Sequence, residues 1–213
     1  MQLRVTEIFH SLQGEARSIG LPTVFVRLTG CPLRCQYCDT AYAFSGGTLM
    51  TLENIVQQVM TYDCPRVCVT GGEPLAQPEC LTLLSRLCDE GLDVSLETSG
   101  ALSIAEVDRR VSRVMDLKTP DSGEMHRNDW SNIDQLTAHD QVKFVLCSRT
   151  DYDWARMRLD EYRLSERVSD VLFSPSHLEL DATELAQWML EDKVAARFQI
   201  QLHKLLWQDQ PGH

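Results

Sequence analysis

A chain of 213 residues can bury a full core and fits one domain of moderate size, expected over residues 1–213. Hydrophobic residues at 43% and charged residues at 24% are ordinary globular composition. The 31 acidic against 20 basic residues give a net charge of −11, which repels a polyphosphate backbone, so a nucleic-acid partner is not expected.

Met1 to His10 has no apolar signal core and alternates like a strand. No apolar run reaches the length that crosses a bilayer, so a cytoplasmic location without a membrane partner is expected. In that reducing compartment the eight cysteines point to metal or redox work rather than to disulfides. The segment Ser11-Leu12-Gln13-Gly14-Glu15 follows, in which Gln13 can donate and accept and Glu15 can accept two donors, enough to read a guanidine-like edge of a heterocycle. A plain turn explains the same residues. Next comes a strand over Thr23–Thr29, with Arg27 as a charge inside an apolar run. A buried Arg needs an anion, either an internal carboxylate or a ligand.

Cys31, Cys35 and Cys38 follow this strand in a C-x3-C-x2-C loop that ends at Thr40. Gly46–Gly47 reads as a turn. Leu52, Ile55, Val56, Val59 and Met60 recur at helical spacing. A strand over Arg66–Thr70 then runs into Gly71-Gly72-Glu73-Pro74, and a second helical pattern, Leu81 to Cys88, stops at Gly91. A strand over Leu92–Glu97 leads into Thr98-Ser99-Gly100. Ser103 with Glu106, and Asp181 with Glu184, have capping-box spacing. Further strands are expected over Arg113–Lys118, Gln141–Cys147, Asp170–Ser174 (followed by Pro175) and Arg197–His203, with a long polar loop over Thr119–Asn132.

Strands alternating with helices predict an α/β fold with a mainly parallel sheet, about six βα units forming a barrel that need not close. Such sheets bind ligands at the carboxyl ends of their strands. Four unusual segments fall there: the cysteine loop, TGGEP, ETSG and DLKTP.

Three thiolates on one short loop are soft ligands, suited to an iron–sulfur cluster or zinc. Zinc wants a fourth ligand, and no further Cys or His lies nearby in sequence. On a four-iron cluster three thiolates leave one iron open. The spacing, with Tyr37 before the last cysteine, resembles the signature of the radical S-adenosylmethionine (SAM) superfamily. That resemblance implies a [4Fe-4S] cluster on Cys31, Cys35 and Cys38, whose open iron chelates SAM and whose electron releases a 5′-deoxyadenosyl radical. It also implies SAM contacts at Tyr37, Gly72, Glu73, Thr98, Ser99, Lys118, Ser174 and Pro175, with Glu73 taking the amino group. The remaining cysteines read as buried structural thiols.

The segments FHSLQGEA, FVRLTGCPLRCQYCDT, VTGGEP, LETSG, DLKTP and QLHK, in this order from Phe9 to Lys204, resemble the 7-carboxy-7-deazaguanine synthase family. One departure is Ala16, where that family commonly has Gly. The resemblance implies an incomplete radical SAM barrel, usually a homodimer, that turns 6-carboxy-5,6,7,8-tetrahydropterin into 7-carboxy-7-deazaguanine with loss of ammonia, on the way to queuosine. It implies a substrate site at Leu12, Gln13, Gly14, Glu15, Arg27, Thr70 and His203, with Arg27 on the substrate carboxylate. It further implies Mg²⁺ at Thr40 and an electron donor of flavodoxin or other type. Two other readings compete: an activase that makes a glycyl radical on a partner protein, and a zinc-binding interaction module.

Overall fold

The computed structural model describes residues 1–177, 179–208, 210 and 212. Its elements run β1 (Gln2–Leu12), β2 (Pro22–Leu28), β3 (Thr48–Thr51), α1 (Leu52–Met60), β4 (Arg66–Gly71), α2 (Cys80–Asp89), β5 (Asp93–Thr98), β6 (Ser112–Asp116), β7 (Gln141–Leu146), α3 (Arg149–Glu161), α4 (Leu164–Arg167), β8 (Asp170–Pro175), α5 (Ala182–Asp192), β9 (Arg197–Phe198) and α6 (Leu202–Trp207). Among the described residues the strands form one sheet in the order β3-β1-β2-β4-β5-β6-β7-β8-β9. β1 is antiparallel to both β2 and β3, and every pairing from β2 to β9 is parallel. β3 and β9 remain edges, so the barrel is incomplete. Among the described residues no helix is long and apolar enough to cross a membrane.

Strand periodicity divides the two faces. Val24, Val26, Val67, Val69, Val94, Leu96, Val142 and Phe144 point outward and join Ile55, Val59, Leu84, Leu87 and Tyr152 from the helices in one buried cluster. The alternate positions, among them Arg27, Thr70, Glu97, Asp116 and Lys143, face the concave side and line a cavity. The helix-facing set supplies the stability, and the concave face is left free for polar chemistry.

One charge breaks the outward pattern. Arg113 on β6 meets Asp140 just before β7, with Nη2–Oδ2 at 2.5 Å and Nε–Oδ1 at 2.9 Å. Asp140 also accepts from the backbone N–H of Thr137 at 2.8 Å. Burial pushes the Asp140 carboxyl up, but the bonds from Arg113 and Thr137 outweigh it and hold its pKa below the usual range. Asp140→Ala strands a buried guanidinium and is expected to cost about 3–5 kcal/mol in denaturant unfolding. The sign for acid follows from the lowered pKa. The stabilisation is complete above the ordinary aspartate value near 3.8 and is lost as pH falls through the lower folded value. Wild type therefore loses more stability than Asp140→Asn as pH falls below about 4.

Two sequence expectations are corrected. Ser103 and Glu106 cap no helix: the β5–β6 connection is a series of turns, in which Ser103 Oγ accepts from Ala105 N–H and the Asn132 side chain takes the backbone of Gly100, Leu102 and Ile104. A distant amide thus captures the groups a helix would have paired. Nor does His203 close a strand. β9 ends at Phe198, and His203 lies in α6. The chain leaves the sheet because Gln199 turns to bond Ala16 in both directions (Ala16 N–H to Oε1 at 2.9 Å, Nε2 to Ala16 C=O at 3.0 Å), and Leu202 N–H bonds Gly14 C=O at 2.9 Å. These bonds strap the C-terminal segment onto the β1–β2 loop across the open side of the barrel. Ala16 sits there at φ 60°, a left-handed conformation that glycine adopts without steric strain. Helix α3, whose buried face is only Asp151, Tyr152, Ala155 and Leu159, carries too little apolar signal to be read from the sequence.

Candidate active site

The loop after β2 carries Cys31, Cys35 and Cys38, all half-buried, on the wall of a cavity of about 400 Å³ at the carboxyl ends of the strands. The backbone of the loop is braced by hydrogen bonds from outside the sulfurs. Arg34 N–H bonds Glu124 Oε1 at 2.6 Å, Gln36 N–H bonds Ser122 C=O at 3.1 Å, and the Arg34 guanidinium bonds Cys31 C=O at 2.8 Å. The 119–132 segment, expected to be loop, thus forms short 3₁₀ turns that brace the cysteines. Burial raises all three thiol pKa values, that of Cys35 to about 11, so a cation is needed to take the proton's place.

The glycine pair after β4 is explained by contact. A Cβ on Gly72 would lie 2.3 Å from Gly30 O and 2.8 Å from Cys31 Cβ, so any side chain there would push the cysteine loop outward. The adjoining Glu73 is fully buried. Its carboxylate accepts from Ser99 Oγ (2.5 Å), Ser99 N–H (2.7 Å), Thr98 Oγ1 (3.0 Å) and Leu75 N–H (3.0 Å). Glu73 therefore ties the TGGEP and ETSG turns together and is not on the cavity wall, whereas Gly72, Thr98 and Ser99 are.

The cavity floor is a line of buried charges. Lys118 Nζ lies 3.2 Å from Asp116 Oδ2, which lies 3.5 Å from Lys143 Nζ, which pairs with Glu15 Oε2. Burial opposes the charge on Lys118 and Lys143, but Asp116 for the first, and Glu15 with Asp116 for the second, hold both ammonium groups well above their ordinary pKa. Glu15 also accepts from Gln201 Nε2 at 2.8 Å. Alongside runs Glu97, which accepts from Thr70 Oγ1 at 3.1 Å and from Gln13 Nε2 at 3.4 Å. Lys118 sits 5.7 Å from the centre of the Tyr37 ring, beneath the cysteine loop.

The opposite wall carries Leu12, Arg27 and an aromatic shelf, Phe9 stacked on Phe25 with ring centres 4.9 Å apart. Arg27 has an internal partner, Glu7 Oε1 at 2.7 Å from its Nε, and also lies 5.7 Å from the Phe9 ring and 5.8 Å from that of Tyr42. At the rim, Thr40 Oγ1 bonds Asp39 Oδ1 at 2.8 Å, with His203 4.0 Å and Lys204 3.6 Å from Asp39 Oδ2. The surrounding protein would raise the Asp39 pKa, but His203, Thr40 and Lys204 together hold it well below the usual range.

Fifteen of the expected site residues share this cavity wall: Leu12, Gln13, Glu15, Arg27, the three cysteines, Tyr37, Thr40, Thr70, Gly72, Thr98, Ser99, Lys118 and His203. Gly14, Glu73, Ser174 and Pro175 do not line it. Gly14 is pressed under His203, where a Cβ would meet Nδ1 at 2.1 Å. Beyond β8 the wall is made by Ser176, His177 and Glu179 instead. Sequence reading passed over Glu97, Asp116 and Lys143. Lys143 offered the signal that singled out Arg27, a charge inside an apolar strand, here QVKFVL.

A protein-family model described as the radical SAM superfamily matches residues 25–160. The 7-carboxy-7-deazaguanine synthase of Chlorobaculum tepidum is 43% identical over 209 residues, which is 96% of this chain and 94% of the relative. That of Koribacter versatilis is 41% identical over 96% of this chain and 97% of its own. The chain belongs to the 7-carboxy-7-deazaguanine synthase family of the radical SAM superfamily. The crystal structure of QueE from Escherichia coli shares the fold, with a TM-score of 0.76 at 22% identity over 95% of each chain.

A radical SAM domain uses a [4Fe-4S] cluster and SAM, and the residues of this family member fit both. The donor set is three thiols on one braced loop. Among the described residues no three Cys, His, Asp or Glu side chains converge on one ion, but a cubane does not need that, because each thiolate takes a different iron. Beside the loop, Tyr37 Oη and Asp116 Oδ1 on the cavity wall are buried without a hydrogen-bond partner among the described residues. Buried polar atoms are seldom left unmatched, and a polar ligand in the cavity accounts for these.

Proposed function

We propose that this chain converts 6-carboxy-5,6,7,8-tetrahydropterin into 7-carboxy-7-deazaguanine with loss of ammonia, in the biosynthesis of queuosine and related 7-deazapurines. The observation that carries this reading is one cavity with three cysteines on one side and Gln13, Glu15 and Arg27 on the other, in a family member related over nearly its whole length. Product and substrate differ by one NH₃ alone, so the conversion involves no net oxidation. A hydrogen taken from the substrate has to be returned, and SAM is then used as a catalyst.

In this reading residues 1–213 act as one catalytic unit. Cys31, Cys35 and Cys38 hold the cluster, which with SAM supplies hydrogen abstraction started by one electron. Tyr37, Gly72, Thr98, Ser99 and Lys118 form the SAM wall. Glu73 shapes that wall by fixing Ser99 and Thr98, with Ser174 and Pro175 behind the adenine side. Glu15 accepts from the N–H groups of the pterin's guanidine-like edge, Gln13 and Thr70 hold Glu97 beside it, and Leu12 and Gly14 contribute backbone. Arg27 receives the carboxylate through the edge of its guanidinium that Glu7 leaves open. His203 and the strap over Gly14 close the pocket against water. Thr40, next to the Asp39 carboxylate, is the proposed Mg²⁺ position, completed by substrate oxygens and waters. The electron comes from a flavodoxin-type or other one-electron donor, and the working assembly is a homodimer.

The test is an anaerobic assay of reconstituted protein with SAM, reductant, Mg²⁺ and the carboxytetrahydropterin. Carboxydeazaguanine in excess over SAM consumed is the expected result. SAM cleavage with the pterin untouched overturns the substrate assignment.

A further inference from the structure

Lys143 is an ammonium in the middle of β7, facing the concave side between Gln141 and Val145. It is 8% exposed and pairs with Glu15 Oε2. Its second contact, Asp116 at 3.5 Å, is longer and is shared with Lys118. A lysine buried at that depth costs several kcal/mol unless its charge is used. Its charge is matched by carboxylates from two other elements, Glu15 of the β1–β2 loop and Asp116 of β6.

The consequence falls on Glu15, which is 7% exposed and reaches the cavity from the β1–β2 loop. The groups that face its carboxylate are Lys143 from β7 and Gln201 and His203 from the C-terminal strap, with Asp116 and Asp39 one contact further out, while Gln13 Oε1 accepts from the Glu15 backbone N–H. An ionised carboxylate only accepts hydrogen bonds, whereas a protonated one also donates. A pocket that reads the N–H groups of a guanidine-like edge therefore depends on the charge state of this one side chain.

We propose that Lys143 is the positioning residue that fixes substrate specificity: it supplies the positive charge opposite Glu15 and keeps that side chain an acceptor for the paired N–H donors of the pterin. The inference rests on the substrate reading given above. Burial alone drives the Glu15 pKa up, and Lys143 is first among the groups that bring it below its ordinary value. Without Lys143 the burial effect is opposed only by His203 and Gln201, so the Glu15 pKa rises and its protonated form gains weight. It then turns a donor toward donors.

The experiment is a double-mutant cycle on purified, cluster-loaded enzyme, measuring KM and kcat for the carboxytetrahydropterin from pH 6 to 9. Lys143→Met is expected to raise KM at pH 7 by roughly 30- to 100-fold, the effect of a mispaired charged hydrogen bond, and more than it lowers kcat. Its KM falls again as pH rises and Glu15 ionises, a limb that wild type lacks. In a Glu15→Gln background, Lys143→Met has less than about a threefold further effect. Equal losses in both backgrounds, or a KM that does not fall with pH, overturn the proposal and leave Lys143 a structural ion pair. Wild-type enzyme that fails to turn over the pterin refutes the substrate reading instead, before any variant is compared.

Discussion

Replacing Cys35 by serine is expected to leave a folded, colourless protein without turnover. A serine hydroxyl is a hard, weakly acidic ligand and does not replace a thiolate on iron. The loss should exceed the ~10–100-fold that follows removal of a mere outer partner of a metal ligand. The loop itself should survive, because Glu124, Ser122 and the Arg34 guanidinium hold its backbone independently of the sulfurs. The melting temperature of the metal-free variant should therefore match that of metal-free wild type, while iron content and visible absorbance collapse. Cys88→Ser is the matching control. Cys88 packs half-buried on α2 against the core and is absent from the cavity wall, so its variant keeps both colour and turnover. A Cys35→Ser protein that keeps its cluster and activity would remove the cysteine loop from the mechanism.

Glu73→Ala is expected to act on stability first and on SAM affinity second. The carboxylate is fully buried and takes hydrogen bonds from Ser99, Thr98 and Leu75. Deleting it strands several buried donors at once, each worth about 1–3 kcal/mol when unmatched, partly relieved if water enters from the cavity. A net loss of about 3–5 kcal/mol corresponds to a melting point roughly 10 °C lower for a chain of this size. Calorimetry on metal-free protein checks it. If Glu73 serves only to hold the SAM amino group, as the GGE resemblance implies, the melting point in the absence of SAM stays unchanged. Glu73→Gln should fall between the two, because an amide keeps one acceptor oxygen and turns two N–H donors toward Ser99.

These two residues also mark how far the sequence could be read. The cysteine loop was legible because a ligand set on one short loop is a local property: spacing alone brings the sulfurs to one place. Strands β1, β2 and β4 to β8 and helices α1 and α2 were legible because their apolar patterns match the faces that pack in the core, and α5 through its capping box at Asp181. Glu73 was legible as part of a motif, but not as a buried tie between two turns. Its partners lie 25 and 26 residues away, and only the parallel pairing of β4 with β5 brings them together.

By itself, then, the sequence determined the α/β class, the mainly parallel sheet, the short cysteine loop and the rim on which the unusual segments meet. All of these follow from local periodicity or spacing. The tertiary structure alone decided the rest. The β5–β6 connection lost its expected helix to Asn132, and the C-terminal strand stopped short so that Gln199 and Leu202 could bind the β1–β2 loop. Glu15 met Lys143 across 128 residues of chain. Whether a buried charge is a ligand, a brace or a counter-ion depends on what faces it, and what faces it is set by strand register and closure of the barrel rather than by any neighbour in sequence.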